Sequence, residues 1–323
     1  MPKYTESDFQ ATVDRLTRVE QLVAGIIRRA GLRAGRLDDH RRVLNQRLHQ
    51  ISFPVLLAKD GTPILVDGGR AELPKFLVIS VPRSGTHLAS EVLSALGLVS
   101  GGLHLSADGT RGIAQDRRFF LPSPTGSDWM NYELSLADVI RLLQPGQFVQ
   151  GHVPFSPDLV AHLDRVAVIY VDRDLRDVLV SSMRFVEQLV RSGVTYTDDM
   201  DITWCGTPDT PAKLISYLRG FGAGVADLIE SISPWQALPE AFTLDFDRIT
   251  KPTQIDEAIE HLGEIADFVG IERSEEQLRE ILKSRVGADT ATWTGRLSNF
   301  REIWSDDVER VFDEIGFRRY VEP

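Results

Sequence analysis

Two short stretches of this chain carry residue types that could grip an anion together. Pro82-Arg83-Ser84-Gly85-Thr86-His87 joins an apolar run to a helical pattern. A helix N-terminus leaves four N–H groups without intrahelical partners and carries a partial positive charge. Anions dock there readily. Gly85 lets the backbone come close, Ser84 and Thr86 add hydroxyl donors, and Arg83 adds a fixed cation that forks onto phosphate oxygens. The second stretch is Asp172-Arg173-Asp174-Leu175-Arg176-Asp177, followed by Val178-Leu179-Val180-Ser181-Ser182. Here Arg173 supplies the fork, and Ser181 on the following helix could face the same anion. Arg176 and Asp177 read as structural, tying the turn down. Each stretch alone has a plainer reading: a capped turn into a helix for the first, a surface ion-pair cluster at a helix start for the second.

The surrounding pattern supplies elements to position both. FLVISVP (76–82) is a short apolar run ending in Pro, followed by the loop and the helical pattern LASEVLSALGL. VAVIYV (166–171) leads through charged residues into a helical pattern over Val178–Arg191. FTLDF (242–246) is a third strand, with helical patterns at 254–269 and 275–285. Apolar strands alternating with helices predict an α/β fold, a central parallel sheet with helices on both faces. Residues 193–211 hold Gly193, Asp198, Asp199, Asp201, Gly206, Pro208 and Pro211, and predict a mobile loop between two helices.

The first loop lacks the leading Gly and the Lys of G-x-x-x-x-G-K-[ST]. It resembles the 5′-phosphosulfate loop of sulfotransferases that use 3′-phosphoadenosine-5′-phosphosulfate (PAPS), a Pro-[Lys/Arg]-Ser-Gly-Thr-x-x-Leu pattern, with Leu88 one place early. The second stretch resembles that family's Arg-Asp-Pro-Arg-Asp-Val-x-x-Ser motif, with Leu175 in place of Pro. Both occur in the family's order, each between a strand and a helix. The resemblance implies a P-loop-like sulfotransferase fold, PAPS as cofactor and 3′,5′-bisphosphorylated adenosine (PAP) as product, with no metal. It further implies donor contacts from Arg83, Ser84, Gly85, Thr86 and His87, a 3′-phosphate grip by Arg173 and Ser181, and leaving-group assistance by Arg83. Gln150-Gly151-His152-Val153-Pro154 resembles the family's Lys-[Thr/Ser]-His-Leu-Pro segment, whose His is the general base; this maps to His152. Imidazole suits the role, with an unperturbed pKa of about 6.5. Some carbohydrate sulfotransferases use a carboxylate instead, which leaves Asp108, Asp116 and Glu133 as alternatives, and His87 and His104 also compete. Trp293-Thr294-Gly295-Arg296-Leu297-Ser298-Asn299-Phe300-Arg301, with Trp304, resembles part of the family's C-terminal Arg-Lys-Gly-x-x-Gly-x-Trp loop. Gly295 fits, and Arg296 is the substitute for the missing Arg-Lys pair. Leu244-Asp245-Phe246-Asp247-Arg248 loosely resembles a Tyr-Glu-Asp strand end and reads as core.

Composition narrows the rest. The chain has 323 residues and a formal net charge of −11, so bulk charge gives no support to nucleic-acid binding. Its one cysteine, Cys205, excludes an intrachain disulfide and a cysteine-based metal cage. No signal pattern opens the chain, and no apolar run approaches a membrane span of about 20 residues. A cytoplasmic protein is expected. Residues 1–53 predict a helical arm rich in arginine, with an apolar stripe running from Phe9 to Ile27, open to homo-oligomer contacts. Residues 54–323 form the sulfotransferase domain, with 54–74 as a β-hairpin lead-in around Asp60-Gly61. The expected activity is sulfuryl transfer to a hydroxyl of a small-molecule or glycan acceptor: carbohydrate, lipid or phenolic. Phe119, Phe120, Trp129 and Tyr132 could line that acceptor's pocket or belong to the core. The competing readings are a nucleotide-dependent phosphotransferase, with Asp172 holding Mg²⁺, and a non-catalytic adaptor that binds PAPS or polyanions.

Overall fold

The structure, a computed structural model, describes residues 55–57, 63–65, 70, 72–107, 112–116, 130–133, 139–140, 143–191, 201–250, 255–285 and 300–321. The arm predicted over 1–53 lies outside them. The chain divides into two units, Met1–Gly68 and Gly69–Pro323. In the first, β1 (Val55–Leu57) and β2 (Pro63–Leu65) pair antiparallel with Val55 opposite Leu65.

The second unit is built on a seven-stranded sheet. Its elements are β3 (Lys75–Ser80), α1 (Thr86–Leu96), β4 (Val99–Ala107), β5 (Gly112–Asp116), β6 (Met130–Glu133) and β7 (Gln147–His152). They continue with α2 (Pro157–Val160), β8 (Val166–Asp172), α3 (Leu175–Arg191), α4 (Pro211–Ile232) and β9 (Ala241–Asp245). The last helices are α5 (Phe246–Thr250), α6 (Ile255–Phe268), α7 (Glu275–Arg285) and α8 (Asp306–Ile315). The strand order is β6-β5-β4-β7-β3-β8-β9. The strands from β4 to β9 in that order run parallel, while β5 and β6 add antiparallel at one edge.

β3 is central because both of its faces are apolar. Phe76 and Val78 enter a core with Leu88, Val92 and Leu93 of α1, Leu262 and Ile265 of α6, and Leu278 and Leu282 of α7. Leu77 and Ile79 point the other way and are equally buried. A strand buried on both sides reads as a continuous apolar run and needs helices on both faces. Each fully buried Leu, Ile or Phe contributes about 1.5–3 kcal/mol relative to exposure. The parallel arrangement brings the C-terminal ends of β7, β3, β8 and β9 into one row, which is where open α/β sheets bind ligands. Among the described residues no helix is long and apolar enough to cross a membrane.

The connection before α4 differs from the expected mobile loop. Its described part, 201–210, is pinned by Lys213, whose Nζ donates to Glu187 Oε2 at 2.7 Å, Thr207 O at 2.8 Å and Asp209 Oδ1 at 3.1 Å. Gly206 N donates to the same Glu187 carboxylate at 2.6 Å. The Lys213 side chain is 1% exposed, so its charge needs all these acceptors. Polar residues that composition assigns to a solvated loop instead neutralise a buried cation. Cys205 sits half-buried in this turn, and burial pushes its thiol pKa up, consistent with an inert side chain.

Candidate active site

The site is assembled around the turn between β3 and α1. Ser84 N donates to Val81 O at 3.2 Å, and Gly85 is the N-cap of α1. Arg83 and Gly85 both take positive φ, 75° and 107°. For Arg83, a side chain held in that region is local strain of the kind concentrated at ligand clamps. Gly85 has a second constraint, since a Cβ there would lie 2.1 Å from Cδ2 of Phe246. Gly85→Ala therefore combines a left-handed backbone penalty with a steric overlap. It is expected to destabilise the fold by about 2–4 kcal/mol, measured by denaturant unfolding. Because Gly85 offers no capping side chain, the first turn of α1 keeps backbone donors for an anion.

Arg83 and Arg173 are adjacent. Arg173 Nη1 donates to the carbonyl of Arg83 at 3.0 Å, and Arg83 Nε donates to Ser181 Oγ at 3.3 Å. The β8–α3 turn and the β3–α1 turn are thus directly joined, and Ser181 of α3 faces them. Each guanidinium lies over an aromatic ring, Arg83 over Phe185 at 4.7 Å and Arg173 over Phe246 at 4.5 Å. Burial lowers the pKa of both guanidinium groups, and the like charge of Arg173 adds to the effect at Arg83. Asp177, Asp247 and Asp174 oppose it at Arg173 without reaching ion-pair distance. Among the described residues neither arginine forms an ion pair, and Arg173 Nε is buried with no hydrogen-bond partner. Two crowded cations and an orphaned donor are the electrostatic signature of an anion site.

His152 ends β7, next to β3. Its Nδ1 lies 2.8 Å from the carbonyl oxygen of Ser80 and 3.3 Å from Ser80 Oγ. A carbonyl only accepts, so neutral His152 carries its proton on Nδ1, and Nε2 is the unprotonated nitrogen. Ser80 Oγ also bonds Thr86 Oγ1 at 2.6 Å. Ser80 therefore ties the imidazole to the first residue of α1. It is fully buried and went unnoticed in the sequence, although a polar residue closing the apolar run FLVIS was the signal. The Thr86 hydroxyl, expected to face the ligand, is engaged by Ser80 and almost fully buried. His104 of β4 packs edge-on against His152 with ring centroids 4.7 Å apart, and His87 stacks on His104 at 6.5 Å. The three imidazoles proposed from sequence thus form one cluster.

Asp108, Gly295 and Arg296 lie outside the described residues, as do Phe119, Phe120 and Trp129. Asp116 ends β5 opposite Leu103, and Glu133 ends β6 opposite Ile113. The core reading of Leu244–Arg248 holds for Leu244 and Phe246, which are both buried in the hydrophobic core. Phe246 also supports Gly85 and Arg173, and Asp247 Oδ2 accepts from Asp174 N at 2.9 Å. The segment reaches the site because β9 pairs parallel with β8, placing Asp245 beside Asp172. Among the described residues no three His, Cys, Asp or Glu side chains converge as a metal site requires.

Residues 73–290 match the family model described as Sulfotransferase domain. Among solved structures, the chain is similar to mouse sulfotransferase SULT7A1 complexed with PAP, at 15% identity and a TM-score of 0.48, over 79% of this chain and 87% of that one. It is also similar to retinol dehydratase in complex with androsterone and inactive cofactor PAP, at 16% identity and a TM-score of 0.46, over 88% and 94% of the two chains. A search among curated proteins found no match. The family match covers more than half of the sequence and both of the joined basic turns, and the chain belongs to the sulfotransferase-domain family.

Proposed function

We propose that the protein moves the sulfuryl group of PAPS to a hydroxyl of its acceptor, with His152 as general base. The observation that carries this reading is the direct join between Arg83 and Arg173, two half-buried cations without ion pairs among the described residues. One nucleotide bearing phosphate at both its 5′ and 3′ ends would satisfy both turns. The residues present fit that ligand. The α1 N-terminus, Arg83 and the 84–87 backbone would hold the 5′ end, and Arg173 with Ser181 the 3′-phosphate. Arg296 and Gly295 remain proposed donor contacts.

When bound, PAPS supplies an electron-poor sulfur and a phosphate leaving group. The chain's residues supply position and charge, the main levers for transfers of this kind. Arg83 stabilises negative charge developing on the departing phosphate. His152, oriented by Ser80 through Nδ1, takes the acceptor proton on Nε2. The strained, aromatic-backed seat of Arg83 fixes its guanidinium, with no competing carboxylate among the described residues.

The test is a labelled-PAPS assay on the full chain with phenols, steroid alcohols and saccharides. A sulfated product with release of PAP is the expected result. Mg²⁺-dependent phosphoryl transfer from ATP would overturn it in favour of a phosphotransferase. Tight PAPS binding with no turnover across the panel would overturn it in favour of an adaptor.

A further inference from the structure

We infer that Arg176 and Asp177 are positioning residues through which the C-terminal segment Phe300–Tyr320 orients Arg173. The inference rests on the donor reading above and adds a part of the chain lying beyond the matched residues 73–290.

Arg173 sits just ahead of α3, and its guanidinium has no carboxylate to lock it among the described residues. Its direction depends on the turn that carries it. That turn is held from one side by α5, where Asp247 accepts from Asp174 N, and Asp174 Oδ1 accepts from Arg176 N at 2.8 Å. The other hold comes from the C-terminal segment. Asp177 Oδ1 accepts from Phe300 N at 2.7 Å. Arg176 forks onto Glu309 of α8, with Nη2 to Oε1 at 2.8 Å and Nε to Oε2 at 3.3 Å. A bidentate guanidinium–carboxylate pair fixes orientation as well as distance. The Arg176 guanidinium also lies within 5.1–5.8 Å of the Phe312, Trp304 and Phe300 ring centroids, an aromatic cage that favours a cation.

The segment making these contacts is itself rigidly seated. Val308, Val311 and Phe312 are buried, Ser305 caps α8 through Val308 N, and α8 packs on α4. Glu309 is further held by Trp304 Nε1 at 2.5 Å and Arg318 Nη2 at 3.0 Å. Its hydrogen bond from Arg176 keeps its carboxyl below the ordinary range, so the pair stays ionised at neutral pH. Burial raises the Asp177 pKa to about 6, against the pull of Arg173 and the Phe300 N–H. That carboxylate is costly where it sits, and its short bond to Phe300 is part of what keeps it in place.

The experiment compares binding of PAP with binding of adenosine 5′-monophosphate, which lacks the 3′-phosphate, for the full chain and for Arg176→Met and Glu309→Gln. Met keeps the apolar stem in the cage, and Gln keeps the shape of the acceptor. Each variant is expected to weaken PAP by about tenfold and the monophosphate by less than about twofold. An unchanged ratio of the two affinities in a folded variant would overturn the inference. Glu309→Gln alone decides the matter if Arg176→Met fails to fold. Arg173→Ala is measured in parallel. If it also leaves the ratio unchanged, the donor reading falls; if it collapses the ratio while the other two variants do not, only the positioning role falls.

Discussion

His152→Ala is expected to lower kcat by about a thousandfold while leaving PAP affinity within about twofold, since removing a positioned general base forfeits about 10²–10⁴ in rate. The asymmetry follows from geometry. The hydrogen bonds that tie His152 to β3 run from Nδ1 to the Ser80 carbonyl and Oγ. The Arg83–Arg173–Ser181 contacts do not pass through it. Loss of the imidazole therefore removes the proton acceptor and spares the anion grip. Steady-state kinetics with labelled donor, paired with calorimetric titration of PAP, measure both. Turnover retained within tenfold would move the base to Asp108, Asp116 or Glu133.

Arg173→Ala should weaken PAP by about a hundredfold and the 5′-monophosphate by no more than about threefold, the loss expected when one charge-assisted fork onto a phosphate is removed. The variant also removes a bond to the Arg83 carbonyl and a guanidinium from the face of Phe246. The monophosphate titration measures that collateral loss, because it reads the Arg83 turn without the 3′ end. Equal loss for the two nucleotides would mean that Arg173 serves only as a strut for the first turn, and the donor reading would fall with its 3′-phosphate grip. Raising ionic strength should narrow the gap between wild type and variant, because the interaction removed is between charges.

Much of the frame was legible in the chain. β3, β8 and β9 are apolar runs between polar turns, and both basic loops fall where such runs give way to helical spacing. The edge strands β5 and β6 were not foreseen. They are short, and GIAQD and MNYE lack the apolar continuity of a strand buried on both faces. The second of the two helices expected to flank the 193–211 loop is α4, and Thr210 and Pro211 form its standard helix start. The 201–210 connection was misjudged because composition does not reveal that Lys213 is buried.

At the site, residue type alone determined that Arg83, Arg173, Ser181 and His152 could bind phosphate and move a proton. Their local motifs encode turn, cap and charge within a few residues. Which distant groups meet them was decided only by the fold. Phe246 backs Gly85 and Arg173 because β9 pairs beside β8, and Ser80 orients His152 because β7 pairs beside β3. The C-terminal segment reaches Arg176 across 133 positions of sequence. Short-range motifs are written in consecutive residues, whereas strand order and helix docking come from burying apolar faces that no local window contains.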